Sequence, residues 1–245
     1  MAVPSRDRRS GCRRPAGVVA ALAVVVALVG LAALLTGRDP LGLLRDLAGD
    51  GGGPASPASP APGSSAEAER AADLLAAIPT AEPAPRGDYE REEFGHGWID
   101  TDGNGCSTRN DILARDLDQV RTDEECKVLA GVLDDPYTGD RVEFTSEDPQ
   151  QVQIDHVVPL SLAWRMGADE WDRERRIEFA NDPDNLVAAY GPANREKSDS
   201  GPGEWRPHAD YQCSYAIAYI DVSHRYDLPL AARDHAALAD MLGTC

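Results

Sequence analysis

The run Ile154-Asp155-His156-Val157-Val158-Pro159 sets a carboxylate beside an imidazole at the end of a short apolar stretch. Further on, Asn185 precedes Leu186-Val187, and Asn194 follows nine residues later with Lys197 just beyond it. An imidazole titrates near neutrality and can take a proton from water. Carboxylate and carboxamide oxygens suit a hard divalent cation. Together these are the groups needed to turn water on a phosphodiester. His156 alone would read as a buried histidine at a strand end; with Asn185, Asn194 and Lys197 in register, the chemical reading outweighs it. Asn185 as a turn residue and Asn194 as a helix cap are compatible with chemistry, because such positions hold side chains rigidly.

The elements that must position these groups follow from periodicity. Residues 151–157 alternate, with Val152 and Ile154 on one face, and read as a strand. Residues 186–189 form a second short apolar run, and Gly191-Pro192 then opens a helix that carries Asn194. Upstream, Ile112, Leu113, Leu117 and Val120 predict a helix over 108–120, with Ser107 or Thr108 as its cap. Strands are expected over 128–133 and 141–145, joined by the turn at 135–139. Helices are expected over 160–166, 170–180, 210–225 and 230–242. The class is α+β, with no internal repeat.

In that order and spacing, Asp-His-Val-Val-Pro, Asn-Leu and Asn-x-x-Lys resemble the HNH endonucleases, and most of all the C-terminal HNH domain of GmrSD-type restriction endonucleases. The stretch from Asn185 through Asn194-Arg195-Glu196-Lys197-Ser198-Asp199 is also similar to the HNH domain of RNA-guided nucleases. The resemblance implies a ββα-metal (His-Me finger) core with flanking helices. It implies His156 as general base, Asp155 and Asn194 as metal ligands, and Asn185 as the residue that holds the loop and orients the base. Lys197 and Arg195 would contact phosphate. The donor set implies Mg²⁺ or Mn²⁺ over zinc. The substrate implied is nucleic acid, DNA first and RNA second; no protein partner is implied. Asn194 stands where many members carry histidine, which bears on metal identity more than on the reaction. A second reading is a non-catalytic extracellular binding module that keeps the fold and is stabilised by calcium.

Composition sets the surroundings. The formal net charge of −18 divides into +1 over residues 1–87 and −19 over 88–245. So acidic a surface repels polyanions at range, which argues against a tight, electrostatically driven nucleic-acid binder. Residues 1–16 form a basic leader, and 18–35 within the segment 17–36 lack charge and proline, long enough for a transmembrane anchor or a signal segment. Either puts the remainder outside the cytoplasm, membrane-anchored or secreted. Residues 37–87, rich in Pro, Ala and Gly, read as a disordered linker in which a short helix near 66–78 is allowed; residues 88–245 read as the nuclease domain. Cys106, Cys126, Cys213 and Cys245 suggest two disulfides, with three pairings open and the nearest-neighbour one preferred; no Cys-x-x-Cys pair supports a zinc site. Asp100, Asp102 and Asn104, with Asp111 at the twelfth position, match the opening of a calcium loop, against a plain solvated turn as the alternative.

Overall fold

A capped helix opens the described part of the chain. The Ser64 hydroxyl accepts from the Glu67 backbone N–H, and the Glu67 carboxylate accepts from the Ser64 backbone N–H. The helix is α1 (Ser65–Ala77). The computed structural model describes residues 63–245, so the basic leader, the apolar segment 17–36 and the linker up to residue 62 lie outside the described residues. The described part of that linker includes α1, whose Ala71 and Leu75 are buried in the larger apolar core. Packed structure therefore extends upstream of the boundary expected at residue 88. Among the described residues no helix is long and apolar enough to cross a membrane.

Next come α2 (Thr108–Asp116) and the antiparallel sheet of β1 (Asp118–Thr122), β2 (Val128–Asp134) and β3 (Arg141–Thr145), in the order β1-β2-β3. The helix stops four residues short of the expected 120. Leu117 turns to extended backbone as its cap, and the Asp116 carboxylate accepts from the Ala188 N–H at 2.8 Å. Pairing with β2 then takes Val120 and its neighbours, so tertiary context overrides a helical spacing.

The second sheet pairs β4 (Val152–His156) with β5 (Leu186–Tyr190), antiparallel, with Asp155 opposite Val187 and His156 opposite Leu186. Between them run α3 (Leu160–Arg165) and α4 (Arg173–Asn181). The Asp172 carboxylate caps α4 through the Arg175 N–H at 2.8 Å, which is why it starts at 173 rather than 170. After β5 the chain enters α5 (Gly191–Lys197) at once. A Cβ on Gly191 would lie 2.1 Å from the Gln150 carbonyl, so only glycine lets the helix start against the chain leading into β4. Then come α6 (Gln212–Arg225) and α7 (Ala232–Leu242).

Both faces of β4–β5 are covered. Val152, Ile154, Leu186 and Ala188 join the core under α2 and the three-stranded sheet. Val187 and Ala189 join the larger core built by α1, α3, α6 and α7. That double burial explains why Leu186–Tyr190 opens as an unbroken apolar run. Disulfides join Cys106 to Cys126 and Cys213 to Cys245, the nearest-neighbour pairing, and they consume the thiolates a zinc site would need. The class is the mixed α+β one expected.

Candidate active site

β4 ends at His156, and its last two residues line a cleft of about 330 Å³. The cleft is completed by Arg86, Tyr89 and Arg91 from the segment before α2, by Pro159, Leu160 and Ser161 at the start of α3, and by Ser198 and Asp199 after α5. A larger cavity of about 790 Å³, lined among others by Arg115, Leu133 and Tyr211, shares no residue with it; its own histidine, His208, is exposed, as is the carboxylate of Asp210 3.9 Å away.

His156 is held on two sides. Its Nε2 lies 2.9 Å from the Ala180 carbonyl, and its ring stacks on Trp98 at 5.7 Å with 14° between planes. A carbonyl can only accept, so Nε2 carries the proton and Nδ1 of the neutral ring keeps the lone pair. Burial pushes the imidazole pKa down to about 3; Arg91 lowers it further, the Ala180 contact works the other way, and Lys197 adds a smaller depression. His156 is thus unprotonated at neutral pH, as a general base must be. An anionic phosphate in the cleft would raise its basicity.

Asn185 is fully buried and acts as a staple. Its Oδ1 accepts from the Val158 N–H at 2.9 Å, its own carbonyl accepts from the Val157 N–H at 2.8 Å, and its Nδ2 donates to the Phe179 carbonyl at 3.4 Å. It fastens the two residues after His156 to the end of α4, one residue from the carbonyl that orients the imidazole. The geometry matches a positioning residue.

Asp155 directs Oδ2 at two buried partners, the Tyr137 hydroxyl at 2.6 Å and Lys197 Nζ at 2.8 Å. Lys197 also donates to the His156 carbonyl at 2.8 Å, and no part of it reaches solvent. The phosphate contact expected of Lys197 is therefore not what the structure offers: its charge is spent inside the protein on Asp155. Arg195 is exposed but lies outside the cleft lining. Asn194 is also absent from that lining; its Nδ2 donates to Gln153 Oε1 at 2.9 Å, on the face of β4 that Asp155 shares, two residues earlier. The structure sets Asp155 and His156 at the cleft, places Asn185 behind them on the backbone of Val157 and Val158, and leaves Asn194 outside the cleft on Gln153.

Four contributors escaped the motif. Asp199 reaches the cleft because Ser198 turns the chain at φ 52, and its Oδ2 accepts from the Ser161 hydroxyl at 3.0 Å. Trp98, Arg86 and Arg91 come from a segment with no motif at all. Asp199 was legible only as the end of the Asn-x-x-Lys-Ser-Asp stretch. In the candidate calcium loop, Asp100 accepts from the N–H groups of Gly103, Asn104 and Gly105, and Asn104 Nδ2 donates to Asp102 and Asp111. Among the described residues no three His, Cys, Asp or Glu side chains converge as a metal cage.

The sequence model for the C-terminal domain of GmrSD restriction endonucleases matches residues 107–241. The chain belongs to this family. It is also 38% identical, over 189 residues, to a protein of Arthroderma benhamiae described as an uncharacterized secreted protein, covering 76% of this chain and 90% of that one. No solved structure matches. Membership of a restriction-endonuclease family makes the domain nuclease-like, and Asp155 and His156 themselves lie inside the matched stretch.

Proposed function

We propose that this protein is an exported endonuclease that hydrolyses phosphodiester bonds in nucleic acid, DNA above all, with His156 as general base. The single observation that carries the reading is the neutral imidazole, fixed through Nε2 with Nδ1 free, at a cleft edged by carboxylates and arginines. His156 would take the proton from water as the water attacks phosphorus. Asn185 keeps the imidazole in place.

The carboxylates suit a hard divalent ion, Mg²⁺ or Mn²⁺. Such ions are held by one or two carboxylates, with water and substrate phosphate filling the remaining positions, so no full protein cage is required. Asp155 and Asp199 line the cleft and are the residues that would hold the ion. The ion, when bound, supplies charge neutralisation at the phosphate. Tyr137 and Lys197 fix the Asp155 carboxylate by occupying one of its oxygens.

Export is supported by the two disulfides, which persist in oxidising compartments, and by the relative described as secreted. The test is a nicking assay on supercoiled plasmid with purified, oxidised protein. Chelator is expected to stop nicking, and Mg²⁺ or Mn²⁺ to restore it. Absence of any cleavage of DNA or RNA across both metals would refute the reading.

A further inference from the structure

The cleft takes two arginines from outside the stretch that the family model matches. Arg86 and Arg91 lie on residues 79–94, upstream of residue 107, where the match begins. This segment is a strap fastened along its length. The Ala81 N–H donates to the Leu230 carbonyl at 2.9 Å. Ala84 and Arg165 exchange two bonds, the Ala84 N–H to the Arg165 carbonyl at 2.8 Å and Arg165 Nε to the Ala84 carbonyl at 2.9 Å. The Arg176 guanidinium donates to the Glu93 carbonyl at 3.1 Å and to its carboxylate at 3.0 Å. Phe94 is buried in the larger core, and Tyr89 packs edge-on against Trp164 at 5.9 Å. The strap is built in place.

Eight other arginines are paired with carboxylates. Among the described residues, Arg86 and Arg91 make no ion pair. Arg109, Arg121, Arg165, Arg173 and Arg195 also make none among those residues, but of the unpaired arginines only the strap's two line the cleft. The Arg86 guanidinium stacks over the Tyr89 ring at 5.0 Å, which holds its plane while leaving its N–H groups free. Both side chains are exposed at the mouth of the cleft that holds His156. Asp88, Glu90 and Glu92 sit on the same strap but do not line the cleft. Two guanidinium groups thus stand without an ion-pair partner at a cleft whose own carboxylates are Asp155, already paired with Lys197, and Asp199.

We infer that Arg86 and Arg91 form a phosphate clamp that grips the nucleic-acid backbone on either side of the bond presented to His156. The inference rests on the nuclease reading for its substrate. It assigns to the strap the grip that the motif alone would give to Lys197 and Arg195. An acidic protein that is repelled by polyanions at range needs such a grip to be local, and guanidinium groups bind phosphate in a planar, two-pronged way.

The test uses the full chain carrying His156→Ala, so that substrate stays intact, and measures binding of fluorescein-labelled single-stranded and duplex oligonucleotides by anisotropy across a salt series. Adding Arg86→Gln with Arg91→Gln is expected to raise Kd about tenfold, and to reduce the slope of log K against log salt by about 1.4–1.8, the loss of two phosphate contacts. Each single change is expected to raise Kd about threefold. The Arg86→Lys, Arg91→Lys pair is expected to recover most of the affinity. Arg121→Gln with Arg173→Gln removes the same charge elsewhere and is expected to leave Kd within about twofold. Urea midpoints confirm that each variant is folded. Unchanged Kd and slope in the strap variant overturn the clamp, as does an equal loss in the Arg121, Arg173 control or a parent that binds no oligonucleotide. If the strap variant binds more weakly while the wild type cuts nothing, the clamp stands and the nuclease reading falls.

Discussion

Lys197 shows how one residue type can serve two unrelated purposes. Its position in Asn-x-x-Lys suggested a cation facing phosphate, but it is fully buried, 2.8 Å from Asp155 and 2.8 Å from the His156 carbonyl. Removing one partner of a buried ion pair leaves the other charge uncompensated. Lys197→Met is therefore expected to destabilise the protein by about 3–5 kcal/mol in urea unfolding; a surface phosphate contact would cost almost nothing. His156 makes a second prediction at this scale. In the folded protein burial holds its pKa at about 3, while in the unfolded chain an imidazole takes its proton near about 6.5. Between those values the unfolded chain binds more protons, so stability is lost as pH falls from above about 6.5 toward about 3. His156→Gln keeps an N–H for the Ala180 carbonyl and removes the titration. Between about pH 7 and about pH 4.5 the wild type is expected to lose about 2 kcal/mol more stability than this variant, read from urea midpoints. That Asp155 and His156 end a strand, with Asn185 held close to the residues that follow, was legible from residue type and spacing. The carbonyl of Ala180 that sets the tautomer was not, since any residue supplies a carbonyl and only the fold decides which one arrives.

At the scale of elements, strands β2 to β5 were legible because alternation and unbroken apolar runs report which faces are buried, as Val152, Ile154 and Leu186–Tyr190 do, whereas β1 was read as the end of a helix. The end of α2 was not, because Asp116 bonds the Ala188 N–H, a residue far away in sequence. The strap at 79–94 escaped for a different reason. It has no regular period, and its place is fixed by backbone bonds to Leu230 and Arg165 and by the grip of Arg176 on Glu93. The disulfides act at this scale too: one ties α6 to the C-terminus just beyond α7, the other ties the loop before α2 to the β1–β2 turn. The loops they close span 20 and 32 residues of separation. The chain-entropy account gives about 3–4 kcal/mol for each. Reduction of both is expected to lower the thermal midpoint markedly, and Cys213→Ser with Cys245→Ser to lower stability by about 2–4 kcal/mol, measured by urea unfolding.

For the whole molecule, the net charge of −18 seemed to speak against a nucleic-acid partner. Composition reports a total, however, and the cleft depends on a distribution. Eight arginines are paired with carboxylates, and of those that are not, among the described residues, two stand at the cleft, where the proposed clamp would use them. A long-range repulsive field with a local grip suits an enzyme that meets its substrate briefly and releases product readily. The central claim is that His156 is the base of a phosphodiester hydrolase. It is tested most directly by comparing plasmid nicking by wild type and His156→Ala, both oxidised, both shown to be folded by their urea midpoints, in Mg²⁺ or Mn²⁺. The account predicts nicking by the wild type and a loss of at least about a hundredfold in the variant, the scale of a general base's contribution. Equal nicking by the two proteins would contradict it.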